Sequence, residues 1–363
     1  MAPDVEAVYA ELQDVFRCSP MLVVGCGASA TTGACVNLRF PTMGDLVAEL
    51  RKRIPERLDG KLASLGAWGA CDALLDDVGL EAALQKAAIT DGPLLEELVD
   101  TAADLVEGLD VEFRERLLTG EVGTFPLQRL VKYLFESAPA AYPVVNVLTP
   151  NYDRLIEYAC FASRIPCCTE LFDYGVRCFD PDSCATALTE VSRLEGERRF
   201  RRRRTGHIAL FKPHGSLGWF QSNDRFVELH DARIELPRVM VTPGATKYER
   251  SLTVMVLNHH REAGNDAMKR AGALLFYGYG FNDSHLQTTL AERLARGVPT
   301  IILTKKLTQA AMGIIGRYPH IWAFDQADED ASRCLHNSNA LTVAEPLWDL
   351  DWFVSSVLGR WGE

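Results

Sequence analysis

The sequence predicts an α/β fold, a doubly wound parallel sheet with a helical insertion. Three observations predict it. Short apolar, β-branched runs recur along the chain and stop at Gly, Pro, Asn or His. Helical periodicity follows several of them, which is the strand–loop–helix alternation of a parallel sheet. Residues 44–140 lack such runs and instead carry Leu, Ala and Glu at helical spacing. The expected division is therefore an α/β domain over 1–43 and 141–363, interrupted by a helical subdomain over 44–140.

Taken in order, residues 4–17 place Val5, Val8, Leu12, Val15 and Phe16 on one face of an amphipathic helix. Met21–Val24 is a strand that ends in Gly25-Cys26-Gly27-Ala28-Ser29. Glycines there permit a sharp turn and close backbone approach to a ligand, and a helix starting after them would point N–H groups at a diphosphate. Ala30 stands where a dinucleotide fingerprint usually has its third glycine. Residues 31–42 read as a polar loop long enough to fold over a nucleotide. Within the helical stretch, Asp91 to Asp110 holds seven acidic residues and no Lys or Arg, which reads as a solvated helix face.

Val144, Val145, Val147 and Leu148 form the next buried strand, stopped at Thr149-Pro150 because proline cannot donate to a ladder. Asn151, Tyr152 and Asp153 sit where strand becomes loop, ahead of a helix opening at Arg154. Ligands of open α/β sheets bind outside the carboxyl ends of strands, so this cluster is a candidate site. The plainer reading makes Asp153 a helix cap. Residues 165–204 read as irregular. Cys167, Cys168, Cys178 and Cys184 there fit no familiar metal-ligand spacing and read as free thiols, with a metal as the alternative. Six arginines crowd Arg198–Arg204. That run reads as a solvated, mobile loop, or else as a contact with nucleic acid or an acidic protein.

Ile208–Phe211 is a further strand, ending in Lys212-Pro213-His214-Gly215-Ser216. Val239–Val241 ends likewise in Thr242-Pro243-Gly244. Ala273–Tyr277 leads into Gly278-Tyr279-Gly280-Phe281-Asn282-Asp283, with a helix over 284–296 capped by Asp283 or Ser284. Thr300–Leu303 and Ile321–Phe324 are the last two strands of this kind.

Composition bounds the function. At 363 residues, 47% hydrophobic and 24% charged, the chain can bury a sizeable core. A net charge of −11 argues against whole-surface affinity for nucleic acid or anionic lipid. None of the ten cysteines forms a CxxC pair, so the strong sequence form of a structural zinc site is missing. With no signal peptide and no apolar run of about 20 residues, a cytoplasmic protein with reduced thiols and no membrane contact is expected.

Four strand ends together resemble the sirtuin-like NAD-binding family. GCGAS (Gly25–Ser29) is similar to its first glycine loop, and TPNYD (Thr149–Asp153) to its Thr-x-Asn-Tyr-Asp motif. KPHGS (Lys212–Ser216) is similar to its Lys-x-His-Gly-Ser motif, and GYGFNDSHL (Gly278–Leu286) to its final glycine strand and helix. The absent CxxC pairs and the helical block after the first loop make the chain resemble the prokaryotic anti-phage NADases more than the protein deacylases.

The resemblance implies a Rossmann-like, sirtuin-type fold and cleavage of the nicotinamide–ribose bond of NAD⁺, with NAD⁺ as substrate and no metal. In catalysis it implies that Asn151 orients ribose or water, that His214 acts as general base, and that Asp153 steadies developing positive charge. For binding, it implies Gly25, Gly27, Ala28 and Ser29 at the diphosphate. Thr149, Tyr152, Gly215 and Ser216 would line the cleft, and Gly278, Gly280 and Asp283 would lie toward the adenosine. His285 would approach the nucleotide at most weakly. The implied setting is an anti-phage defence system acting by abortive infection. The chain would work there as a homo-oligomer, with a HerA-type translocase or another defence partner. Its resting form would be restrained, since unchecked NAD⁺ loss kills the host. An NAD-dependent deacylase and a non-catalytic NAD or ADP-ribose sensor remain the rival readings. A dehydrogenase leaves KPHGS and GYGFND unexplained.

Overall fold

The computed structural model describes residues 5–193, 200–230, 236–240, 251–282 and 284–359. The chain opens with helix α1 (Val5–Arg17), strand β1 (Pro20–Val24) and helix α2 (Cys26–Ala34). α2 begins inside the glycine loop rather than after it, with Gly25 as its N-cap. That shortens the expected nucleotide-covering loop to residues 35–42. Leu38 and Phe40 within it are buried, Phe40 lying edge-on to Phe113, so the segment is anchored in the core.

Helices α3 (Met43–Arg57), α4 (Leu62–Lys86), α5 (Gly92–Thr119) and α6 (Pro126–Glu136) follow. α3, α4 and the first half of α5 enclose their own apolar core around Leu50, Ile54, Trp68, Leu84 and Leu98. The second half of α5 leaves it, and Phe113 packs with Phe125 and Tyr158 in the core under the sheet. The acidic segment is not simply a solvated face. Glu97 and Asp104 pair with Arg57 on α3, and Asp110 is fully buried.

Next come β2 (Val144–Leu148), α7 (Leu155–Ser163), β3 (Cys167–Cys168), β4 (Leu171–Asp173), β5 (Arg177–Phe179) and α8 (Pro181–Ala187). They are followed by β6 (Thr189–Arg193), β7 (Phe200–Arg204), β8 (His207–Phe211), β9 (Gly215–Ser222), β10 (Arg225–Glu228) and β11 (Arg238–Met240). The described residues of 165–204 are thus short strands and a helix; Arg201–Arg204 of the arginine run lie in strand β7 rather than in a loop, and Arg198 and Arg199 lie outside the described residues. The third section is α9 (Ser251–Arg270), β12 (Ala273–Tyr277), α10 (Ser284–Ala295), β13 (Thr300–Leu303) and α11 (Gln309–Arg317). It ends with β14 (Trp322–Asp328), β15 (Ala331–His336), β16 (Asn339–Val343) and α12 (Leu350–Trp352), which widens into a last helical stretch over Phe353–Leu358.

The main sheet has nine strands in the order β16-β15-β14-β13-β12-β1-β2-β8-β3. From β14 to β3 every pairing is parallel, and only β15 and β16 run antiparallel at one edge. Alternation sorts the strands onto two cores. Leu22 and Val24 face α1, α6 and α7, while Met21 and Val23 face α9, α10 and α11. This is the doubly wound α/β arrangement. A second, antiparallel sheet ordered β11-β9-β10-β5-β4 packs on α9 around Trp219 and Phe226. β11 belongs to this second sheet, not to the parallel one its apolar run suggested. The residues 242–244 that follow lie outside those described.

From β1 the chain runs outward to β2 and β8, then returns to β12 on the other side of β1. The sheet's switch point is therefore between β1 and β12, and in open α/β sheets ligands bind outside the carboxyl ends of the strands at such a point.

Candidate active site at the switch point

Register brings the four predicted turns together. Val24 pairs with Tyr277, so Gly25 and Gly278 each come one residue after the same rung. Leu148 pairs with Phe211, so Asn151 and His214 are each the third residue past a shared rung. The Thr149 N–H extends that ladder to the Phe211 carbonyl at 2.9 Å.

The two glycine loops interlock. A Cβ on Gly25 would lie 2.4 Å from the Gly278 carbonyl oxygen, and one on Gly278 would lie 2.2 Å from the Ala28 nitrogen. Gly278 also has a φ of +59°, which favours glycine. The N–H of Gly27 donates to Gly278 and that of Ala28 to Gly25. Gly25, Gly27 and Gly278 are thus required first by loop-to-loop contact, and the three positions form a floor of bare backbone at the switch point. Gly280 is less confined, its nearest neighbour being the Asn282 side chain at 3.3 Å. Tyr279 and Phe281 turn into the core beside Phe276. Asp283 lies outside the described residues, as does the side chain of His285.

Above this floor stands a buried polar set. Asn151 Nδ2 donates to Ser29 Oγ at 2.9 Å, and Ser29 Oγ donates to Asp153 Oδ2 at 2.6 Å. Asp153 Oδ1 accepts the Leu155 N–H at 3.2 Å. Thr149 Oγ1 accepts the Asn151 N–H and donates to the Val24 carbonyl, which ties the loop after β2 to β1. Burial lifts the Asp153 carboxyl to about 6, against the opposing pull of Lys212 and the Ser29 hydrogen bond. Asp153 is therefore both a loop-ordering group and a buried carboxylate within the set.

His214 is 9% exposed, in a turn closed by the Gly215 N–H on the Lys212 carbonyl. Gly215, with φ +88°, lies against the backbone of β11, where a Cβ would meet the Val239 carbonyl at 2.0 Å. Ser216 Oγ and the Leu217 N–H both donate to the Tyr152 carbonyl, which joins the TPNYD and KPHGS turns directly. The Tyr152 ring packs against the apolar cores of the helical block.

Two residues to which motif reading gave no role hold these turns in place. Lys212 is fully buried, its Nζ donating to the Asp153 carbonyl at 2.6 Å and to Glu157 Oε1 at 3.0 Å. A lysine ending a doubly buried strand must find partners, which is the signal that was available. Asp110 on α5 accepts from the Arg154 N–H, Nε and Nη2 at 2.6–2.8 Å and from the Tyr158 hydroxyl at 2.7 Å. Asp110 lies three residues before buried Phe113, so an acid set in an apolar stripe was its only sequence mark.

The cysteines 167–184 are free. Cys167 lies against Cys160 and Cys168 against Cys184, and burial pushes the Cys184 thiol up to about 12. Among the described residues no group of three or more His, Cys, Asp or Glu side chains is placed to hold a metal ion, and no helix is long and apolar enough to cross a membrane.

A model of the SIR2-like domain family matches residues 145–341, from β2 into β16 and more than half of the chain. The match contains the TPNYD, KPHGS and GYGFND turns, while the first glycine loop precedes it. No curated protein matches the chain.

Proposed function

Because the chain belongs to the SIR2-like family, whose members use NAD⁺, we propose that it is an NAD⁺ glycohydrolase, releasing nicotinamide and ADP-ribose. The observation that carries this reading is the buried Ser29–Asn151–Asp153 set at the switch point, at the same carboxyl end of the sheet as His214. Nicotinamide leaves NAD⁺ as a neutral molecule, so the site needs no strong acid. The barrier lies in the oxocarbenium-like ribose, as in glycoside hydrolysis. What a protein supplies is position and charge.

In this reading Asn151, its amide held by Ser29, orients the ribose or the attacking water. His214 takes the proton from that water or from a ribose hydroxyl, a task suited to histidine near neutrality. Asp153, ionised above about pH 6, offers negative charge to the developing cation. The side-chain-free floor at Gly25, Gly27 and Gly278, with Ala28 beside it, lies under the diphosphate at the N-terminal end of α2. Gly280 faces the adenosine side. Thr149, Tyr152, Gly215 and Ser216 act mainly by fixing the turns that present Asn151 and His214.

Hydrolysis is favoured over deacylation because the sequence has no CxxC pair for the zinc ribbon of deacylases and carries a helical block after the first glycine loop. By the same resemblance the activity would deplete NAD⁺ in anti-phage defence, with the chain as a homo-oligomer alongside a HerA-type translocase. Chromatography of purified protein with NAD⁺, alone and with an acetyl-lysine peptide, tests the reading. Equal yields of nicotinamide and ADP-ribose without peptide are expected. Nicotinamide release only with peptide would make the chain a deacylase, and saturable binding without turnover would make it a sensor.

A further inference from the structure

Arg201–Arg204 of the arginine run belong to one strand of a two-stranded ribbon, and every residue from Phe200 to Arg204 is exposed. Register sorts the ribbon into two unlike faces. Arg201 and Arg203 share one face. Glu190 stands opposite Arg203 there, and Arg203 Nη2 also donates to the Ala140 carbonyl at 2.7 Å. Phe200, Arg202 and Arg204 share the other, where the residues opposite Arg202 and Arg204 are Val191 and Thr189. That face has no acid across from it. Among the described residues no carboxylate pairs with Arg202 or Arg204.

Phe200 is 68% exposed and Val191 is 59% exposed, so an aromatic ring and an aliphatic side chain stand in solvent beside two guanidiniums. The two guanidiniums spring from backbone positions roughly 7 Å apart along the strand. All this sits on a chain of net charge −11, which opposes binding of polyanions to the surface as a whole. We propose that this face of the β6–β7 ribbon binds single-stranded nucleic acid, with phosphates on Arg202 and Arg204 and a base against Phe200. Guanidinium forks suit phosphate oxygens, and an exposed ring offers a base its stacking surface. A purely acidic protein segment would satisfy the arginines but would leave Phe200 with nothing to stack on.

The test is fluorescence anisotropy of a labelled oligo(dT) with the full-length chain, with duplex DNA and poly-glutamate as parallel probes. The variants are Arg202→Glu/Arg204→Glu, Phe200→Ala and, on the opposite face, Arg201→Glu, each checked for fold by circular dichroism. The wild type is expected to prefer oligo(dT) and to lose affinity as salt rises. The double reversal should abolish binding. Phe200→Ala should weaken it about tenfold, and Arg201→Glu should weaken it less than either. No binding of oligo(dT), or binding untouched by the double reversal, would overturn the proposal. So would equal affinity for poly-glutamate, or for duplex DNA with no effect of Phe200→Ala.

Discussion

Ser29 Oγ donates a 2.6 Å hydrogen bond to Asp153 Oδ2, joining the helix after β1 to the loop after β2 across 124 positions of sequence. The same hydroxyl accepts from Asn151 Nδ2, so one side chain holds both polar residues of the TPNYD turn. Ser29→Ala strands a buried amide and a buried carboxylate. Its expected cost is about 1–3 kcal/mol of stability, with kcat for NAD⁺ cleavage falling roughly tenfold or more as Asn151 loses its orientation. Chemical denaturation and steady-state kinetics check the two effects, and Ser29→Thr should recover most of both.

Asp153 makes the stability of the fold depend on pH in a defined direction. Burial raises its carboxyl to about 6, so the folded chain holds this proton more tightly than the unfolded chain does. The stabilising contribution is complete below the ordinary value of 3.8 and is lost as pH rises through about 6. It amounts to about 3 kcal/mol. Asp153→Asn removes the titration. Its stability relative to wild type should therefore climb between about pH 4 and about pH 7, read from urea unfolding at each pH. A difference that does not vary with pH contradicts the buried carboxylate.

The glycine loops make a prediction that separates packing from ligand contact. Gly25→Ala forces a Cβ to within 2.4 Å of the Gly278 carbonyl oxygen, while the nearest neighbour of a Cβ on Gly280 is a side-chain amide at 3.3 Å. Gly25→Ala should destabilise by about 2 kcal/mol or more. Gly280→Ala should leave the melting temperature nearly unchanged and raise the KM for NAD⁺ if Gly280 faces the adenosine. Thermal melts and kinetics on the two variants check this.

Asp110 couples the helical block to the candidate site through Arg154, the residue that follows Asp153. Asp110→Asn leaves the Arg154 guanidinium buried beside a neutral amide. The expected loss is about 3–5 kcal/mol if the pair behaves as other buried ion pairs do when one partner is removed. Faster hydrogen exchange should appear in both α5 and the first turn of α7, since the contact spans them. Exchange changes confined to α5 would show that the block does not brace the site.

The parallel strands were legible because each is buried on both faces, which writes an uninterrupted apolar run such as Val144–Leu148 or Ala273–Tyr277. The second sheet was not. β4, β5 and β11 have three residues each, too few for an alternating pattern to emerge, and β9 carries Gly215, Gly218 and Trp219 in place of a β-branched run. β7 was hidden by its charge, since five exposed residues that include four arginines carry no hydrophobic period at all. Asn151, Asp153 and His214 stood out as candidates because strand ends announce themselves through Pro and Gly. Ser29 stood out as part of the first glycine loop, with no sign of the hydrogen bonds its side chain makes. It was expected at a diphosphate, and its hydroxyl is engaged with Asn151 and Asp153. Asp110 and Lys212 act across long sequence separations, and nothing adjacent in the chain names their partners.

The most direct test of the central claim is NAD⁺ consumption by wild type, Asn151→Ala and His214→Ala, with nicotinamide and ADP-ribose quantified and folding checked for each. The account predicts turnover in wild type and a loss of about a hundredfold or more in each variant, while both variants still melt cooperatively. Turnover that survives either substitution in a folded protein would contradict it.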